Sequence, residues 1–419
     1  MDNPAPTPIF SNMDKSTDLI IVGGSLNGCA LALAAAGAGL SVTLIDAEDV
    51  ATQTLSNFNG RSYAIALASQ RLLNGIGLWD DLEDDAQPML EIKVTDGRVG
   101  EGPSPFFMHF DHAEIEEGPM GFMVEDRHLR RAFLNAVQNA EITHLPNARV
   151  VAQHTDAASA SVTLADGTMH TGRVLVGCDG RTSGTAMRAG IMRNGRDYGQ
   201  TAMVCAIAHE KPHGGIAHQF FMPAGPLAIL PLSGNRSSIV WSETHETAAR
   251  VSEMSDDDFI EHLKPRFGDF LGNIELAGAR YHYPLSLTLA NALTSQRIAL
   301  VGDAAHGVHP IAGQGLNAGL KDVASLVEVL ALAKRRGEDI GSDLVLARYA
   351  QWRRFDVAAL AASTDSFNAL FSNDNGFLRG LRDVGMGIVN AVPALRRGFI
   401  REAAGLTGDL PKLMKGQSV

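Results

Sequence analysis

The sequence has few cysteines and lacks any long uncharged run. Its three cysteines, Cys29, Cys178 and Cys205, stand far apart without a CxxC pair, which excludes a zinc ribbon and a dithiol redox motif. This favours a reducing, cytoplasmic setting. The longest uncharged stretches, such as residues 384–395, fall short of the roughly 18–20 residues that span a bilayer. We therefore expect no transmembrane helix.

Positive charge is also scarce. The chain holds 35 Lys and Arg against 47 Asp and Glu, a net charge of −12. Because an acidic surface repels a phosphate backbone, we do not expect nucleic acid as a partner. Aromatic residues make up only 6% of the chain, whereas glycine is abundant at 43 residues. This balance suits an α/β protein with many tight turns better than an all-β sandwich.

A strand–helix–strand unit follows the N-terminal residues. Apolar strands at residues 18–22 and 41–45 flank an Ala- and Leu-rich helix at residues 29–40, the pattern of a buried βαβ unit. The first turn has glycines at the outer positions of GxGxxG and a serine in the middle. Such a turn presents helix amides to a pyrophosphate, and an acidic residue after the second strand binds a ribose. The predicted binding residues are Gly23, Gly24, Ser25, Asn27, Gly28 and Asp46.

This unit predicts an adenine dinucleotide but does not separate NAD from FAD. The alternative is a glycine-rich turn in an ordinary α/β protein. Further along, residues 57–79 predict a loop and an amphipathic helix, and alternating stretches between about 195 and 290 predict an antiparallel sheet. The buried-strand pattern returns at residues 297–301, before a helix at residues 316–330.

A second motif, VGDAAHGVHPIAGQGLNAGLKD, occupies residues 301–322. It resembles the second FAD fingerprint of flavoprotein aromatic hydroxylases, in the form found in the ubiquinone-biosynthesis hydroxylase family. The resemblance implies that Asp303 binds the ribityl chain and that the following loop lies against the isoalloxazine. Amides that open a helix favour negative charge, as a reduced flavin requires. The residues implied are Gly302, Asp303, Pro310, Gly313, Gln314, Gly315, Leu316 and Asn317.

Other segments resemble the same family over nearly the whole chain. Arg61 stands in FNGR, which resembles the arginine-bearing segment near the flavin, although Asn59 replaces a common Asp. Arg127 lies in a segment that resembles one with an FAD-contacting Arg or Gln. Asp179 lies in an Asp-Gly motif that the family associates with FAD and nicotinamide use. Without the resemblance, Arg61 and Arg127 are equally read as solvated arginines.

The resemblance implies a fold, α/β overall, with a Rossmann-like FAD-binding lobe, an inserted antiparallel substrate domain and a C-terminal helical region. The predicted division is a disordered lead-in at 1–16, an FAD-binding domain at 17–80, 97–183 and 285–360, a substrate domain at 81–96 and 184–284, and a helical region at 361–419. The lead-in has no signal-peptide pattern, so we do not expect export.

The expected activity is that of an FAD-dependent monooxygenase. It would hydroxylate the aromatic ring of a polyprenylated ubiquinone precursor with O2 and NAD(P)H, through a flavin C4a-hydroperoxide. Because the chain has no second GxGxxG, NAD(P)H would bind transiently. No catalytic base stands out, and His306 and His309 lack a third ligand at usable spacing, so no metal is expected. Hydroxylation of a soluble phenol and a flavin-binding accessory or scaffold role in quinone synthesis are the alternatives.

The C-terminal region differs in charge from the rest of the chain. Residues 376–419 hold seven basic and three acidic side chains. Residues 376–402 are amphipathic and form a candidate surface for peripheral membrane contact or for other ubiquinone-biosynthesis proteins. The alternative is a helix that covers the core and exposes solvated arginines.

Overall fold

The computed structural model describes residues 16–53, 58–100, 102–307, 314–371 and 389–419. Its α-helices are α1 Leu26–Gly37, α2 Val50–Gln53, α3 Leu67–Gly75, α4 Asp126–Asn139, α5 Gly184–Arg188, α6 His245–Ser252, α7 Asp256–Phe267, α8 Gln314–Arg335, α9 Asp343–Phe371 and α10 Pro393–Ala403. The first strands are β1 Thr17–Val22, β2 Val42–Ile45, β3 Ser62–Ala66, β4 Gln87–Met89, β5 Glu91–Arg98, β6 Gly102–Asp111, β7 Gly121–Glu125, β8 Ile142–Leu145, β9 Val150–Thr155 and β10 Ala160–Leu164. The remaining strands are β11 Met169–Gly177, β12 Arg193–His209, β13 Ile216–Met222, β14 Gly225–Leu232, β15 Arg236–Thr244, β16 Ile274–Leu276, β17 Tyr281–Ala290, β18 Thr294–Ser295, β19 Ile298–Leu300 and β20 His306–Gly307.

An eight-stranded sheet with a parallel centre carries the first motif. Its main order is β18-β19-β11-β1-β2-β8, and β1 pairs in parallel with both β11 and β2. Every residue of β1 is buried, as expected for a strand covered on both faces. The predicted βαβ unit is confirmed, although α1 begins at Leu26 rather than at Cys29.

A nine-stranded, mostly antiparallel sheet forms the inserted part. Its order is β20-β17-β12-β15-β14-β13-β5-β6, with β16 beside β12. One face packs under α6 and α7, where Trp241 and Phe220 contact Phe259 and its neighbours. The opposite face, called the inner face below, packs through Ala206 and Ala217 on the three-stranded sheet β3-β7-β4. The predicted inserted antiparallel sheet is thus confirmed.

Two features depart from the sequence patterns. Residues 62–66, expected as loop, form β3 because they pair antiparallel with β7. Strand β6 falls in the segment 97–183 predicted for the FAD-binding domain, yet it pairs with β5 in the nine-stranded sheet. The domain division stays a prediction, and this strand pair moves its boundary toward residue 111. Of the lead-in, only Ser16 belongs to the described residues.

The C-terminal region is helical in its described residues, as predicted, through the end of α9 and through α10. Helix α8 packs between α1 and α9, and α10 packs on β6 with Ile400 fully buried. A last turn at Lys412–Lys415 buries Leu413 and Met414 beside α3. Within the part of the chain that the structure describes, no helix is both long and apolar enough to cross a membrane.

Candidate cofactor site

The turn after β1 has no room for side chains. Gly23 has φ +103°, and a Cβ atom there would lie 2.4 Å from the Cys178 carbonyl oxygen at the end of β11. At Gly28 a Cβ would lie 1.8 Å from the Gly23 carbonyl oxygen. Both positions therefore require glycine, as the GxGxxG spacing predicts. The turn brings the start of α1 against the ends of two parallel strands.

Asp46 lies beside this turn with its carboxylate already held. It accepts hydrogen bonds from the Glu48 backbone N–H at 3.0 Å and from Gln53 Nε2 at 2.7 Å. A Cβ on Gly24 would stand 2.5 Å from Asp46 Oδ2. Ser25, the exposed N-cap of α1, makes no capping bond with its side chain. The first turn of α1 therefore keeps its N–H groups available to an anion.

Asn27 joins the two glycine-rich motifs. Cβ atoms built on Gly302, which has φ +62°, and on Gly319 would lie 2.4 and 2.3 Å from Asn27 Nδ2. Asn27 Oδ1 is buried without a hydrogen-bond partner among the described residues. The two motifs, distant in sequence, thus converge on one place that still offers a free polar atom.

The start of α8 is fixed to the three-stranded sheet by Asn317. Its Nδ2 donates to the Ala64 carbonyl at 2.8 Å, and its Oδ1 accepts from the Ala66 N–H at 2.9 Å. Gln314, Gly315 and Leu316 form the half-buried first turn of the helix. These two hydrogen bonds fix the start of α8 against β3.

Two of the residues implied for the flavin ring, Pro310 and Gly313, lie outside the described residues, as does His309. His306 is described, and it takes part in an ion pair rather than standing alone. Among the residues that the structure describes, no group of three His, Cys, Asp or Glu side chains is arranged to hold a metal ion.

A buried charged network supports the second motif from below. Asp322, with no exposed surface, accepts hydrogen bonds from the Gly302 N–H at 2.9 Å, from His306 Nε2 at 2.6 Å and from Arg353 Nε at 2.6 Å. Burial raises the pKa of Asp322, but the charges of His306 and Arg353 outweigh it and hold the pKa at about 2. Arg353 also reaches Asp356 at 2.6 Å. The network ties the Gly302 turn to α8 and α9.

Asp303 and Asp179 have different hydrogen-bond partners. Asp303 is 41% exposed and pairs with Arg181 at 3.2 Å, while Arg193 donates to its carbonyl at 2.7 Å. The Nε of Arg193 is buried without a partner in the described structure. Asp179 instead accepts hydrogen bonds from the Thr185 N–H at 2.8 Å and from Ser183, so its carboxylate caps the start of α5.

Arg61 is neither helical nor freely solvated. It precedes β3, and its guanidinium lies 4.3 Å over the ring of Tyr281 on the inner face. Its Nε is buried without a partner among the described residues. Asn59, which departs from the family pattern, accepts the Arg61 N–H at 2.9 Å. A carboxylate could accept the same bond, so the departure leaves this turn intact.

Arg127, on the first turn of α4, is held by a buried carboxylate. Its Nε donates to Glu125 at 2.7 Å, and Glu125 also pairs with Arg236 at 2.7 Å. Both guanidiniums stack on Phe58, at 5.6 and 5.0 Å. The half-buried Arg127 is thus positioned at the junction of the two lobes.

These features fit FAD. The uncapped start of α1 suits a pyrophosphate, and the unpartnered Asn27 Oδ1, Arg61 Nε and Arg193 Nε offer polar contacts around the cleft. Burial raises the pKa of Cys29 to about 12 and the pKa of Cys178 well above its ordinary value. Neither thiol is therefore a nucleophile beside the cofactor.

A family model described as "FAD binding domain" matches residues 16–363. This chain belongs to that FAD-binding family. It is 45% identical to the ubiquinone hydroxylase UbiL of Rhodospirillum rubrum over 420 residues. The aligned region covers 99% of this chain and 96% of the relative. It is 32% identical to the 3-demethoxyubiquinol 3-hydroxylase of Escherichia coli, over 94% of this chain and all of the relative.

Solved structures support the same fold. The p-nitrophenol 4-monooxygenase PnpA of Pseudomonas putida superposes with a TM-score of 0.78 at 18% identity, over 94% of this chain and 98% of that one. At this identity the likeness concerns the fold alone.

The residues of the buried charged network are not among the site residues predicted from the sequence. Arg353 follows Tyr349 by four positions, and Val345 precedes Tyr349 by four, so a charge stands on the buried face of α9. Asp322 likewise lies among apolar residues of α8. A charged residue at core spacing is a usable signal, because it must have a buried partner. Nothing in the sequence identifies which partner it has.

Proposed function

We propose that this protein is an FAD-dependent monooxygenase that hydroxylates the aromatic ring of a polyprenylated ubiquinone precursor, with O2 and NAD(P)H as co-substrates. The observation that carries the proposal is 45% identity to a ubiquinone hydroxylase over 99% of the chain. The convergence of both glycine-rich motifs on Asn27 supports it, because residues that match the family also meet in space.

We assign the cofactor contacts as follows. The α1 start and Asp46 hold the ADP part, while Asp303, with Gly302 at its turn, holds the ribityl region. The first turn of α8 supports the flavin ring with its amides. Bound FAD supplies oxygen activation, and the protein supplies orientation and a cleft from which water is excluded. The full set is Gly23, Gly24, Ser25, Asn27, Gly28, Asp46, Arg61, Arg127, Asp179, Gly302, Asp303, Pro310, Gly313, Gln314, Gly315, Leu316 and Asn317.

Asp179 has the weakest case in this set, because its carboxylate is bonded to Ser183 and Thr185. We propose that it acts through the shape of the turn at Gly180, which has φ +76°, rather than by a direct contact of its carboxylate. NAD(P)H would approach from the solvent side of that turn.

The accessory role draws no specific support. The departures from the family pattern at Ser25 and Asn59 would favour it only if they weakened the cofactor site. Ser25 points to solvent at the N-cap, and Asn59 makes the bond to the Arg61 N–H that a carboxylate would make. Neither change removes a contact that the cofactor site needs.

Deletion of the gene, with mass spectrometry of the quinone pool, tests the proposal. We expect a prenylated precursor that lacks one ring hydroxyl to accumulate, and the wild-type gene to restore the pool. Purified protein with FAD, O2 and either NADH or NADPH should convert that precursor. An unchanged pool would contradict the biosynthetic assignment, and a flavin that NAD(P)H does not reduce would favour the accessory role.

Peripheral membrane contact through α10 is the second part of the proposal. Val392, Leu395 and Phe399 lie on one face of this segment and are 40, 47 and 40% exposed. Two of the three arginines are already used, since Arg396 and Arg401 pair with Glu114 and Glu117 on the body of the protein. The apolar row, with Arg397 beside it, is therefore the part of α10 that could enter a lipid interface.

A substitution in that row tests membrane contact better than deletion of the tail, because the tail also buries Ile400 and Leu413. Leu395→Ser should weaken binding to vesicles of mixed neutral and anionic lipid while the melting temperature stays constant. Ala394→Ser, an exposed change that leaves the charge of the same helix unaltered, is the matched control. Equal vesicle binding by all three proteins would leave α10 as a cover of the core.

A further inference from the structure

An amide on the inner face of the nine-stranded sheet lacks a partner. Gln219 lies on β13, opposite Ala228 on β14 and Val94 on β5. Its Nε2 is buried and makes no hydrogen bond to any residue that the structure describes. The side chains of Ala228 and Val94 offer this donor no hydrogen-bond acceptor. A buried donor left unpaired is unfavourable, so its presence calls for an acceptor from outside the fold.

The strand alternation shows which way Gln219 points. Phe220 packs with Trp241 and Phe259 under α6 and α7. Successive side chains on a strand point to opposite faces. Gln219 and Phe221 therefore point to the inner face, toward the cofactor lobe.

Gln219 is linked to the start of α8 through the neighbours it has on the inner face. Ala217, two residues earlier on the same face, belongs to the cluster that contacts Ala64. Asn317, at the start of α8, holds the Ala64 carbonyl at 2.8 Å. On the other side, Phe221 packs with Ile400 and its neighbours. Gln219 thus lies between two apolar clusters on the face of the sheet that packs on β3-β7-β4.

We propose that Gln219 Nε2 donates a hydrogen bond to a ring oxygen of the substrate and so selects and orients an oxygenated ring. This inference rests on the proposed function, because it assumes an aromatic substrate in the cleft. The apolar clusters on both sides suit the ring and its prenyl tail. A buried donor of this kind discriminates against analogues that lack the acceptor far more strongly than an apolar pocket discriminates against an extra group.

The test compares Gln219→Met, which keeps size and removes the donor, with the wild-type holoenzyme. The probes are a geranylated phenol and geranylbenzene, which differ by one hydroxyl, and binding is followed by the flavin absorbance. We expect the wild type to bind the phenol about tenfold more tightly, the value of one good hydrogen bond. The variant should lose that preference, bind geranylbenzene as before, and melt no lower, because no protein hydrogen bond is broken.

Gln200→Met is the matched control on the same sheet. Gln200 Nε2 donates to the Ala224 carbonyl at 2.7 Å, so this variant should melt lower yet keep the preference for the phenol. The inference is overturned if Gln219→Met keeps the preference, if it weakens both probes equally, or if the wild type shows no preference. Since binding is measured, a protein that prefers the phenol but hydroxylates no precursor would contradict the proposed function alone.

Discussion

Two buried polar side chains, one on helix α8 and one in the nine-stranded sheet, differ in their hydrogen-bond partners. On α8, Asp322 accepts three hydrogen bonds, from Gly302, His306 and Arg353. On the inner face of the nine-stranded sheet, Gln219 Nε2 donates a hydrogen bond to none of the described residues. The fold itself supplies the hydrogen-bond partners of Asp322, whereas we propose that a ligand supplies the partner of Gln219. We therefore expect changes at Asp322 to lower the stability of the fold, and changes at Gln219 to leave it unaltered.

The sharpest test of this contrast is Asp322→Ala. It leaves the Gly302 N–H and His306 Nε2 without their acceptor and leaves buried Arg353 with Asp356 as its remaining carboxylate partner, so the free energy of unfolding should fall by about 3–5 kcal/mol. Urea unfolding measures this loss, and flavin fluorescence measures the accompanying loss of FAD. Asp303→Ala, measured without FAD, is the control for the free energy of unfolding alone, because its 41% exposed carboxylate pairs only with Arg181 in the described structure. It should cost less than about 1 kcal/mol. Equal losses of unfolding free energy in the two variants would contradict the structural role of Asp322.

Glycine substitutions test how little space the cofactor end leaves. Gly28→Ala places a Cβ 1.8 Å from the Gly23 carbonyl oxygen, and the strain should cost about 1–3 kcal/mol or more, with loss of FAD affinity. Gly37→Ala, on the same helix, meets nothing within 4 Å and should stabilise by up to about 1 kcal/mol. Thermal unfolding and FAD titration of both variants measure these effects. If Gly28→Ala changed neither stability nor FAD affinity, this would contradict the assignment of the turn to pyrophosphate binding.

The dependence of stability on pH tests the Asp322 charge directly. The pKa of Asp322 is about 2 in the fold against an ordinary value of 3.8. A lowered pKa adds stability above the unfolded value, and that stability is lost as pH falls through the folded one. Relative to Asp322→Asn, the wild type should lose about 2 kcal/mol between about pH 4 and pH 2. Parallel stability curves for the two proteins would argue against an ionised Asp322.

The smallest expected effect concerns the junction between the lobes. Asn59→Asp keeps the acceptor for the Arg61 N–H, so the free energy of unfolding should change by less than about 0.5 kcal/mol. Asn59→Ala removes the acceptor and should cost about 1 kcal/mol. Calorimetry separates the two. A large gain in FAD affinity from Asn59→Asp would show that the departure does weaken the cofactor site.

Much of the cofactor lobe could be predicted from local patterns. Residues 18–45 contain a strand, a turn and a helix whose glycines are required by contacts within or beside the unit. The antiparallel insertion was also predictable, because one buried face imposes alternation on each strand. Strand β3 was not, since residues 62–66 become a strand only by pairing with β7.

The candidate site divides along the same line. The glycines at 23 and 28 and the second motif follow from spacing, and their convergence on Asn27 agrees with it. The hydrogen-bond partners of the carboxylates do not follow from spacing. Asp179 caps a helix, and Asp46 is held by Gln53. A sequence motif indicates which residues come near a cofactor, but the hydrogen-bond partners of each carboxylate depend on segments that the motif does not contain.

By itself, the sequence determined the strands, the glycine turns and the family of this protein, because these depend on local spacing and on residues that must stay small. Only the tertiary structure decided which buried charges pair and which face of the inserted sheet turns to the cofactor. Asp322 meets Arg353 through the packing of α8 on α9, and Gln219 points into the cleft through the pairing of β13. Both depend on contacts between distant segments, which local periodicity does not encode.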